Sequence, residues 1–277
     1  MTDLIPSFDQ IMNLDEAFSP SIQGRFELDT AKMIGVLPDD ISEYAEKDHF
    51  PIPGVRIREG YGGESDSIYW ASGYRDYHRL RKKLPIDGNL LDFGCATGRV
   101  LRHFALSRRP IYGADLNINN VRWCLRGFPK IEVINNSVLP HLPYEDNFFK
   151  SIYAFSVFTH IDRDELPWLA ELRRILAPGG KLYITVHGDR AWRERTENGL
   201  ESSVLTASTT YELYSDHPRI PDGRCAFSHQ AKIEAFANVF HSHDYIKDIW
   251  GRGFDIESIE TYDHFYQDGV MLVKKSE

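Results

Sequence analysis

The sequence predicts an α/β protein with a doubly wound, mostly parallel sheet of seven strands. Short apolar runs alternate with helical patterns between residues 89 and 188, which is the pattern of successive βαβ units. A turn with two glycines joins the first of these runs to the helix that follows it. Two more strand-like runs, residues 254–259 and 270–273, supply the last strands.

Within the alternating part of the chain, strands are predicted at residues 89–93, 111–114, 131–134, 151–155 and 181–186. Helices are predicted between them, because apolar residues recur there at helical spacing. Asn117 is placed to cap the second helix, and Pro167 fits the first turn of the third. The run Ala-Pro-Gly-Gly at 177–180 ends that third helix.

The rest of the chain has weaker patterns. Residues 75–84 predict a helix, whereas residues 51–65, with two prolines and four glycines, predict a loop or lid. Beyond residue 188 the chain is polar and irregular, with a short helix predicted at 230–240 and another at 243–250.

Composition excludes several classes of protein. Of the 277 residues, 42% are hydrophobic and 26% are charged, which is ordinary for a globular protein and excludes disorder along the whole chain. The presence of only three cysteines excludes a disulfide scaffold and suits a reducing compartment. The formal charge of −9 argues against a nucleic acid partner, because such proteins usually carry a basic surface.

No membrane partner and no metal are expected. The first ten residues lack the cationic and apolar regions of a signal peptide, and no stretch has the ~20 apolar residues that span a bilayer. Neither Cys-x-x-Cys nor His-Glu-x-x-His occurs in the sequence. We therefore expect a cytoplasmic protein, and the sequence leaves its oligomeric state open.

The glycine turn has the sequence LLDFGCATGR, residues 90–99, and its ligand can be narrowed by elimination. A P-loop needs a Gly-Lys-Ser/Thr ending, which Gly98-Arg99 does not provide. The dinucleotide pattern G-x-G-x-x-G is absent too, because Ala96 stands where the middle glycine falls. Asp92 would repel a pyrophosphate but attract an ammonium group. A plain structural turn is the simpler alternative.

Asp115 ends the second predicted strand, 17 residues after Gly98. A carboxylate at this position can accept hydrogen bonds from both hydroxyls of a ribose. A cationic amino group, a ribose and no phosphate together describe S-adenosyl-L-methionine. The same carboxylate also suits the ribose of NAD, so an NAD-dependent oxidoreductase stays as an alternative.

Five stretches, in order, resemble the motifs of class I S-adenosylmethionine-dependent methyltransferases, and most closely the bacterial enzymes that act on small molecules and glycans. They are LLDFGCATGR, GADLN, LPYEDNFF, AFSVFTHI and LRRILAPGGKLYITVHG. The resemblance covers about residues 68–188 and resumes weakly at FHSHDYIKDIWGRGF and YQDGVMLV.

This resemblance implies a Rossmann-like fold, S-adenosylmethionine as cofactor, and a division of the chain. Residues 1–67 would be an N-terminal extension or lid, and residues 68–277 the methyltransferase domain. Within that domain, residues 89–188 would form the cofactor half and residues 189–253 a substrate-side insertion.

The resemblance also implies a role for each cofactor-binding residue. Asp92 matches the acidic residue near the methionine amino group, and Asp115 matches the ribose carboxylate, with Leu116 beside the adenine. The loop residues that match the part packed against the methionine are Gly94, Cys95, Ala96 and Gly98. The remaining matches are Asn136 and Ser137, near the adenine amino group, and Phe155 and Ser156, beneath the sulfonium.

The chain departs from the family pattern at three of these positions, and one further candidate, Tyr69, has a second interpretation. Ala96 replaces a frequent glycine, which a small side chain can satisfy, and Asn136-Ser137 lacks the carboxylate common in the family. Tyr69 lies in a segment that closes over the cofactor in this family, together with Trp70 and Tyr74. An aromatic cluster of this kind suits core packing equally well.

Methyl transfer from a sulfonium requires no metal, but a hydroxyl or amine acceptor needs a group that takes its proton. Histidine suits that role, because its pKa lies near working pH. His160 follows the fourth predicted strand and His187 the fifth, so both are candidate bases. Alternatively, His160 only fixes its loop through hydrogen bonds. His241 and His243 are expected on the surface or in a substrate loop.

The absence of one motif bears on the class of the acceptor molecule. Amino-methylating nucleic acid enzymes place Asp/Asn-Pro-Pro-Tyr after the fourth strand, where this chain has Phe155-Ser156-Val157-Phe158. This difference argues against a nucleic acid acceptor, and the resemblance to bacterial methyltransferases of small molecules and glycans implies the hydroxyl of a small molecule or sugar as the acceptor. The alternatives are a small amine, a nucleic acid or protein, or a catalytically inactive cofactor-binding protein.

Overall fold

The structure, a computed structural model, describes residues 45, 47–59, 61–63, 65–105, 107–197, 211–214, 216–228 and 237–275. Nine strands are assigned in these residues: β1 Leu90–Phe93, β2 Ile111–Asp115, β3 Glu132–Asn135, β4 Phe149–Ala154, β5 Leu176–Val186, β6 Arg224–Ser228, β7 Ala237–His241, β8 Phe254–His264 and β9 Gln267–Lys274.

Seven of these strands form one sheet in the order β3-β2-β1-β4-β5-β9-β8. The pairs β2–β3, β1–β4 and β4–β5 are parallel, whereas β9 runs antiparallel to both β5 and β8. The strands β6 and β7 form a separate antiparallel pair. The predicted α/β fold with a mostly parallel seven-stranded sheet is therefore confirmed.

The helices follow the strands as βαβ units require. They are α1 Asp66–Lys83, α2 Leu101–Phe104, α3 Ile118–Gly127, α4 Glu165–Ile175, α5 Asp189–Arg193 and α6 His243–Ile249. Short 3-10 turns occur at Val55–Ile57, Tyr211–Leu213, Pro221–Gly223 and Trp250–Arg252. Along the described part of the chain, no helix combines the length and the apolar character needed to cross a membrane.

The chain divides into two compact units, which are described separately. Unit 1 consists of the described parts of Met1–Ile86 together with Gly94–Asn135. Unit 2 consists of Asp87–Phe93 and the described parts of Asn136–Glu277.

Helix α1 of unit 1 corrects the prediction of a helix at 75–84, because it begins nine residues earlier, at Asp66. Its N-cap is Ser65, whose hydroxyl accepts a hydrogen bond from the backbone N–H of Ile68 at 3.2 Å. The rings of Trp70 and Tyr74 are both buried, and they stack with their centroids 5.5 Å apart. Burial of this aromatic face stabilises a helix that the charged residues alone did not reveal.

The predicted cap of the second helix is confirmed in unit 1. The side-chain oxygen of Asn117 accepts a hydrogen bond from the backbone N–H of Asn119 at 3.0 Å, and α3 begins at the residue between them. This cap fixes the direction in which the chain leaves β2.

Unit 2 holds two further corrections. Strand β5 begins at Leu176 rather than at Lys181, and Leu176 pairs there with Phe149. The helix predicted at 230–240 is wrong for residues 237–240, which belong to β7, whereas residues 230–236 lie outside the described part of the chain. Pairing with β6 and complete burial of β7 decide its conformation, which is tertiary information that a local pattern lacks.

Candidate active site

The glycine loop of unit 1 turns directly after the end of β1. The backbone N–H groups of Gly94 and Cys95 both donate to the carbonyl of Ala114, at 2.8 and 3.1 Å, so the loop is held against β2. Gly94, Ala96 and Gly98 have positive φ angles of 78°, 46° and 77°. Alternating left-handed residues curl the backbone tightly, which brings main-chain groups rather than side chains to the loop surface.

Gly98 also packs too closely for any side chain. A Cβ atom built there would lie 2.5 Å from the ring of Phe128, which follows α3. The loop is therefore closely packed against this part of unit 1, and its shape depends on a glycine at that position.

Asp115 is the last residue of β2 and is 8% exposed. Its carboxylate accepts hydrogen bonds from the backbone N–H groups of Ala96 and Asn117, at 2.7 and 2.8 Å, and from Asn120 Nδ2 at 3.2 Å. Burial raises the pKa of Asp115 despite these donors, and the nearby carboxylate of Glu59 adds to the rise. A ligand that donates further hydrogen bonds would stabilise the ionised form.

The chemistry around Asp115 fits the ribose of S-adenosylmethionine. Asn120 is 2% exposed, and its Oδ1 atom has no hydrogen-bond partner among the described residues. Leu116, next in the chain, is 50% exposed and offers an apolar side chain to an aromatic base. A buried acceptor, a carboxylate and an exposed apolar side chain are complementary to hydroxyl donors beside an adenine.

Arg99, the cationic residue at the end of the glycine loop, makes its contacts inside unit 1, which argues against binding of a phosphate there. The guanidinium of Arg99 donates to Asp76 Oδ2 at 2.7 Å and lies 4.0 Å from the ring centroid of Tyr61. Arg99 is 5% exposed, so its charge is used inside unit 1. This arrangement agrees with a ligand that has no phosphate.

Tyr69 lies in α1 and is buried, as are Trp70 and Tyr74. Its hydroxyl is 3.0 Å from Oγ1 of Thr97, a residue of the glycine loop. Burial raises the pKa of Tyr69 to about 12. Tyr69 therefore supports the loop as a neutral hydrogen-bonding group.

The predicted residues of unit 2 begin with Asp92 in β1. Asp92 is 4% exposed, and its Oδ2 atom accepts a hydrogen bond from the hydroxyl of Tyr153 at 2.7 Å. Tyr153 is its register partner in β4. Sequence reasoning missed Tyr153, because strand register is needed to pair it with Asp92.

Asn136 and Ser137 follow β3 and bond mainly to their own segment. Asn136 Nδ2 donates to the carbonyl of Ser137 at 3.0 Å, and Ser137 Oγ accepts from the N–H of Leu139 at 3.2 Å. In unit 1 the preceding residue, Asn135, donates to the carbonyls of Asp115 and Leu116. Sequence reasoning therefore singled out Asn136 and missed its neighbour, which contacts the Asp115 backbone.

Phe155 and Ser156 directly follow β4. The ring of Phe155 packs among aromatic rings that include Tyr183, with centroids 5.4 Å apart. Ser156 has a φ of 55°, a left-handed conformation unusual for serine. Its N–H donates to Thr185 Oγ1 at 2.8 Å, and Gln267 Nε2 donates to its hydroxyl at 2.9 Å. Gln267, which lies in the stretch YQDGVMLV but was not among the predicted site residues, helps to hold this strained residue.

The two predicted bases lie beside the same strand, β7. His160 is exposed, and its Nδ1 is 2.9 Å from the carbonyl oxygen of Ala237. Because a carbonyl only accepts, Nδ1 carries the hydrogen and Nε2 is the basic nitrogen of that ring. His187 is 2% exposed and packs on the ring of Phe240, with centroids 5.1 Å apart.

The surroundings of His187 lower its pKa. Burial, with the charges of His160 and His241, lowers the pKa of His187 to about 3. Its Nδ1 atom lacks a hydrogen-bond partner in the part of unit 2 that the structure describes. His187 is therefore neutral near pH 7 and a weak base.

His241 and His243, expected on the surface or in a substrate loop, are held by carboxylates instead. His241 is completely buried and its Nε2 is 2.8 Å from Glu165 Oε2. His243 Nε2 is 2.6 Å from Oδ2 of buried Asp268, and this hydrogen bond raises the pKa of His243. Among the described residues, no group of three or more acidic, His or Cys side chains could hold a metal ion.

Comparison with known proteins identifies the class. A family model described as Methyltransferase domain matches residues 69–259, which is well over half of the chain. The protein therefore belongs to the methyltransferase domain family, and its cofactor is S-adenosylmethionine. No curated protein sequence matches the chain.

Solved structures share the fold at low sequence identity. A SAM-dependent methyltransferase of Methanosarcina mazei is similar with a TM-score of 0.54 and 16% identity, over 72% of this chain and 98% of that one. A Pyrococcus horikoshii protein has a TM-score of 0.56 and 16% identity, over 76% and 92% of the two chains. The 1,6-didemethyltoxoflavin-N1-methyltransferase of Burkholderia thailandensis, with S-adenosylhomocysteine bound, has a TM-score of 0.51 and 12% identity, over 75% and 80%.

Proposed function

We propose that the protein transfers a methyl group from S-adenosylmethionine to a hydroxyl of a small molecule or sugar. The observation that carries the proposal is the tautomer of His160, an exposed histidine whose Nε2 is held as a proton acceptor by the bond from Nδ1 to Ala237. A hydroxyl loses its proton during methylation, so a positioned base is useful there.

The cofactor would be bound by the residues that the resemblance to the family implies. Asp115 accepts the ribose hydroxyls, Leu116 contacts the adenine, and the backbone around Gly94 and Gly98 packs on the methionine portion. Asp92 would attract the amino group of the methionine, since Tyr153 leaves it a buried carboxylate with acceptor capacity. Asn136, Ser137, Phe155 and Ser156 keep their proposed adenine and sulfonium roles.

The cofactor supplies an electrophilic methyl group on a sulfonium, so the chain has to position an acceptor and take its proton. His160 suits the second task better than His187, whose pKa of about 3 makes it a poor base at neutral pH. His187 instead helps to hold β7, because its ring packs on Phe240 and its backbone carbonyl accepts from the N–H of His241 at 2.9 Å.

The acceptor side is proposed to involve the substrate-side insertion, residues 189–253. This segment has a small apolar cluster of its own, in which Trp192 and Phe227 stack with centroids 6.0 Å apart. A rigid aromatic cluster is suited to supporting a loop that recognises a small, partly apolar acceptor.

The test is to incubate the protein with S-adenosylmethionine labelled with carbon-13 on its methyl group and a bacterial extract. We expect the label in the small-molecule fraction, with the methyl chemical shift of an O-methyl product. Label in nucleic acid or protein would contradict the proposal, and an N-methyl shift would replace the hydroxyl with an amine acceptor.

The His160→Ala variant tests the base in the same assay. We expect turnover to fall by about 10²–10⁴, the usual contribution of general base catalysis, with cofactor affinity nearly unchanged. His141→Ala is the control, because His141 is also exposed and lies outside the residues proposed to bind the cofactor or the acceptor. Normal turnover in His160→Ala would remove His160 from the base role.

A further inference from the structure

We infer that Glu59 is a second carboxylate that binds the cofactor ribose, supplied by the N-terminal segment 47–59. The inference rests on the proposed role of Asp115. It concerns a residue that no sequence motif indicates, and every contact that supports it lies within unit 1.

The far end of this segment is anchored by a buried ion pair. Asp48 is completely buried and receives hydrogen bonds on both oxygens from Arg102 of α2, at 2.9 and 3.0 Å. Trp70 Nε1 also donates to Asp48, at 2.7 Å. Arg102 donates in addition to the carbonyls of Phe50 and Pro51, at 2.8 and 2.9 Å. A buried guanidinium that makes these four hydrogen bonds, two of them to a carboxylate, fixes the backbone of the segment.

The near end of the segment is attached to the glycine loop. Thr97 Oγ1 donates to the carbonyl of Ile57 at 3.3 Å, and the Tyr69 hydroxyl is within hydrogen-bond distance of the same Thr97 oxygen. The segment therefore reaches the loop that the cofactor would contact.

Arg58 orients the residue that follows it. Its side chain is buried, donates to the carbonyls of Pro53 and Gly63 at 2.9 and 3.2 Å, and pairs with Asp66. With Arg58 held in this way, Glu59 adopts a left-handed φ of 49°. The cationic side chain of Arg58 and the anionic side chain of Glu59 are therefore held in different surroundings, although the two residues are consecutive in the chain.

The side-chain amide of Asn120 donates hydrogen bonds to both Glu59 and Asp115, the proposed ribose carboxylate. Asn120 Nδ2 donates to Glu59 Oε1 and to Asp115 Oδ1, at 3.2 Å in each case. Two carboxylates on one amide repel each other, and the Oδ1 atom of Asn120 is a buried acceptor for which the described residues provide no donor. Three acceptor groups thus lie together, one of them, Asn120 Oδ1, without a donor among the described residues, and a ribose supplies two hydroxyls.

The experiment measures the affinity of S-adenosylhomocysteine by calorimetry for the wild type and for Glu59→Gln, which keeps the size of the side chain and removes its charge. We expect binding to weaken about tenfold or more, the usual loss when a hydroxyl loses a charged acceptor. Glu132→Gln is the matched control, because Glu132 is exposed at the start of β3, the opposite end from Asn135. It should bind as the wild type does.

Ligands lacking one hydroxyl decide whether the contact is direct. With S-(2′-deoxyadenosyl)homocysteine and S-(3′-deoxyadenosyl)homocysteine, the effect of Glu59→Gln should disappear for the analogue that lacks the hydroxyl bound by Glu59. Equal losses for all three ligands, or no loss for any, would overturn the role of Glu59 while leaving that of Asp115 intact. Failure of the wild type to bind S-adenosylhomocysteine would instead overturn the proposed function itself.

Discussion

Left-handed backbone at single residues shapes the loop that follows β1. Glycines at 94 and 98 are expected from the motif, because they adopt positive φ without a steric cost. Ala96 also has a positive φ, of 46°, which the sequence did not indicate. Its N–H donates to Asp115, so the strained conformation is what joins the loop to the candidate ribose carboxylate.

Gly98→Ala tests how closely the loop is packed. The new Cβ atom would lie 2.5 Å from the Phe128 ring, and the backbone there has a φ of 77°, which disfavours alanine. We therefore expect a loss of about 2–4 kcal/mol in unfolding free energy. Gly179→Ala is the matched control, because its φ is 67° and no atom lies within 4 Å of the new Cβ. Denaturant unfolding should show a loss of only about 1 kcal/mol there. Equal losses would contradict close packing at Gly98.

The site residues that motifs could not indicate are those joined by long-range contacts. Glu59 and Asn120 are 61 positions apart, and their hydrogen bond joins the N-terminal segment to α3. Tyr153 meets Asp92 only through the register of β1 and β4. Asp115 could be predicted, because the end of a strand after a glycine loop is recognisable from local sequence alone.

At the scale of elements, hydrophobic periodicity predicts strands and helices well where each buries its own apolar face. Strand β4 is buried along nearly its whole length, and a short apolar run in the sequence predicts it. Strand β7 and the first half of α1 were missed, since their conformations depend on partners distant in sequence. The partner of β7 is β6, and Trp70 of α1 bonds to Asp48.

Glu165 joins three elements of unit 2. This residue of α4 accepts hydrogen bonds from His241 of β7 at 2.8 Å and from Trp250 at 2.7 Å, and it pairs with Arg224 of β6. Burial opposes its ionisation, but the bond from His241 and the charges of His241 and Arg224 prevail and lower the pKa of Glu165 to about 2.

A depressed carboxyl pKa stabilises the fold only while the carboxyl is ionised. The contribution is complete above the ordinary value of 4.5 and is lost as pH falls through the folded value of about 2. Glu165→Gln should therefore lower the unfolding free energy by about 3 kcal/mol at neutral pH, and it should reduce the loss of stability between these two pH values.

Denaturant unfolding across that pH range checks this expectation. Glu257→Gln is the control, because the exposed pair of Glu257 with Lys181 at 2.7 Å is expected to contribute less than about 1 kcal/mol. If Glu165→Gln behaved like this control, Glu165 would not join these elements energetically.

At the scale of the whole molecule, the order of motifs along the chain predicts the fold class and the family. Four of the five motif stretches contain the carboxyl end of a strand, and the fifth, LPYEDNFF, leads into β4. The family match extends from residue 69 to residue 259. The charge of −9 is in part functional in this account, because Asp92, Asp115 and Glu59 are proposed to act on a cationic cofactor and its ribose. The identity of the acceptor could not be predicted, because one fold serves many acceptors.

The central claim is that Asp115 binds the ribose of S-adenosylmethionine, and calorimetry with S-adenosylhomocysteine tests it most directly. Asp115→Ala removes the carboxylate, whereas Asp115→Asn keeps its size and one acceptor oxygen, so that only one of the N–H groups of Ala96 and Asn117 keeps its acceptor. Denaturant unfolding of both variants checks that they still fold. We predict that the wild type binds and that both variants bind about tenfold to a hundredfold more weakly. Unchanged affinity in the variants would contradict the claim.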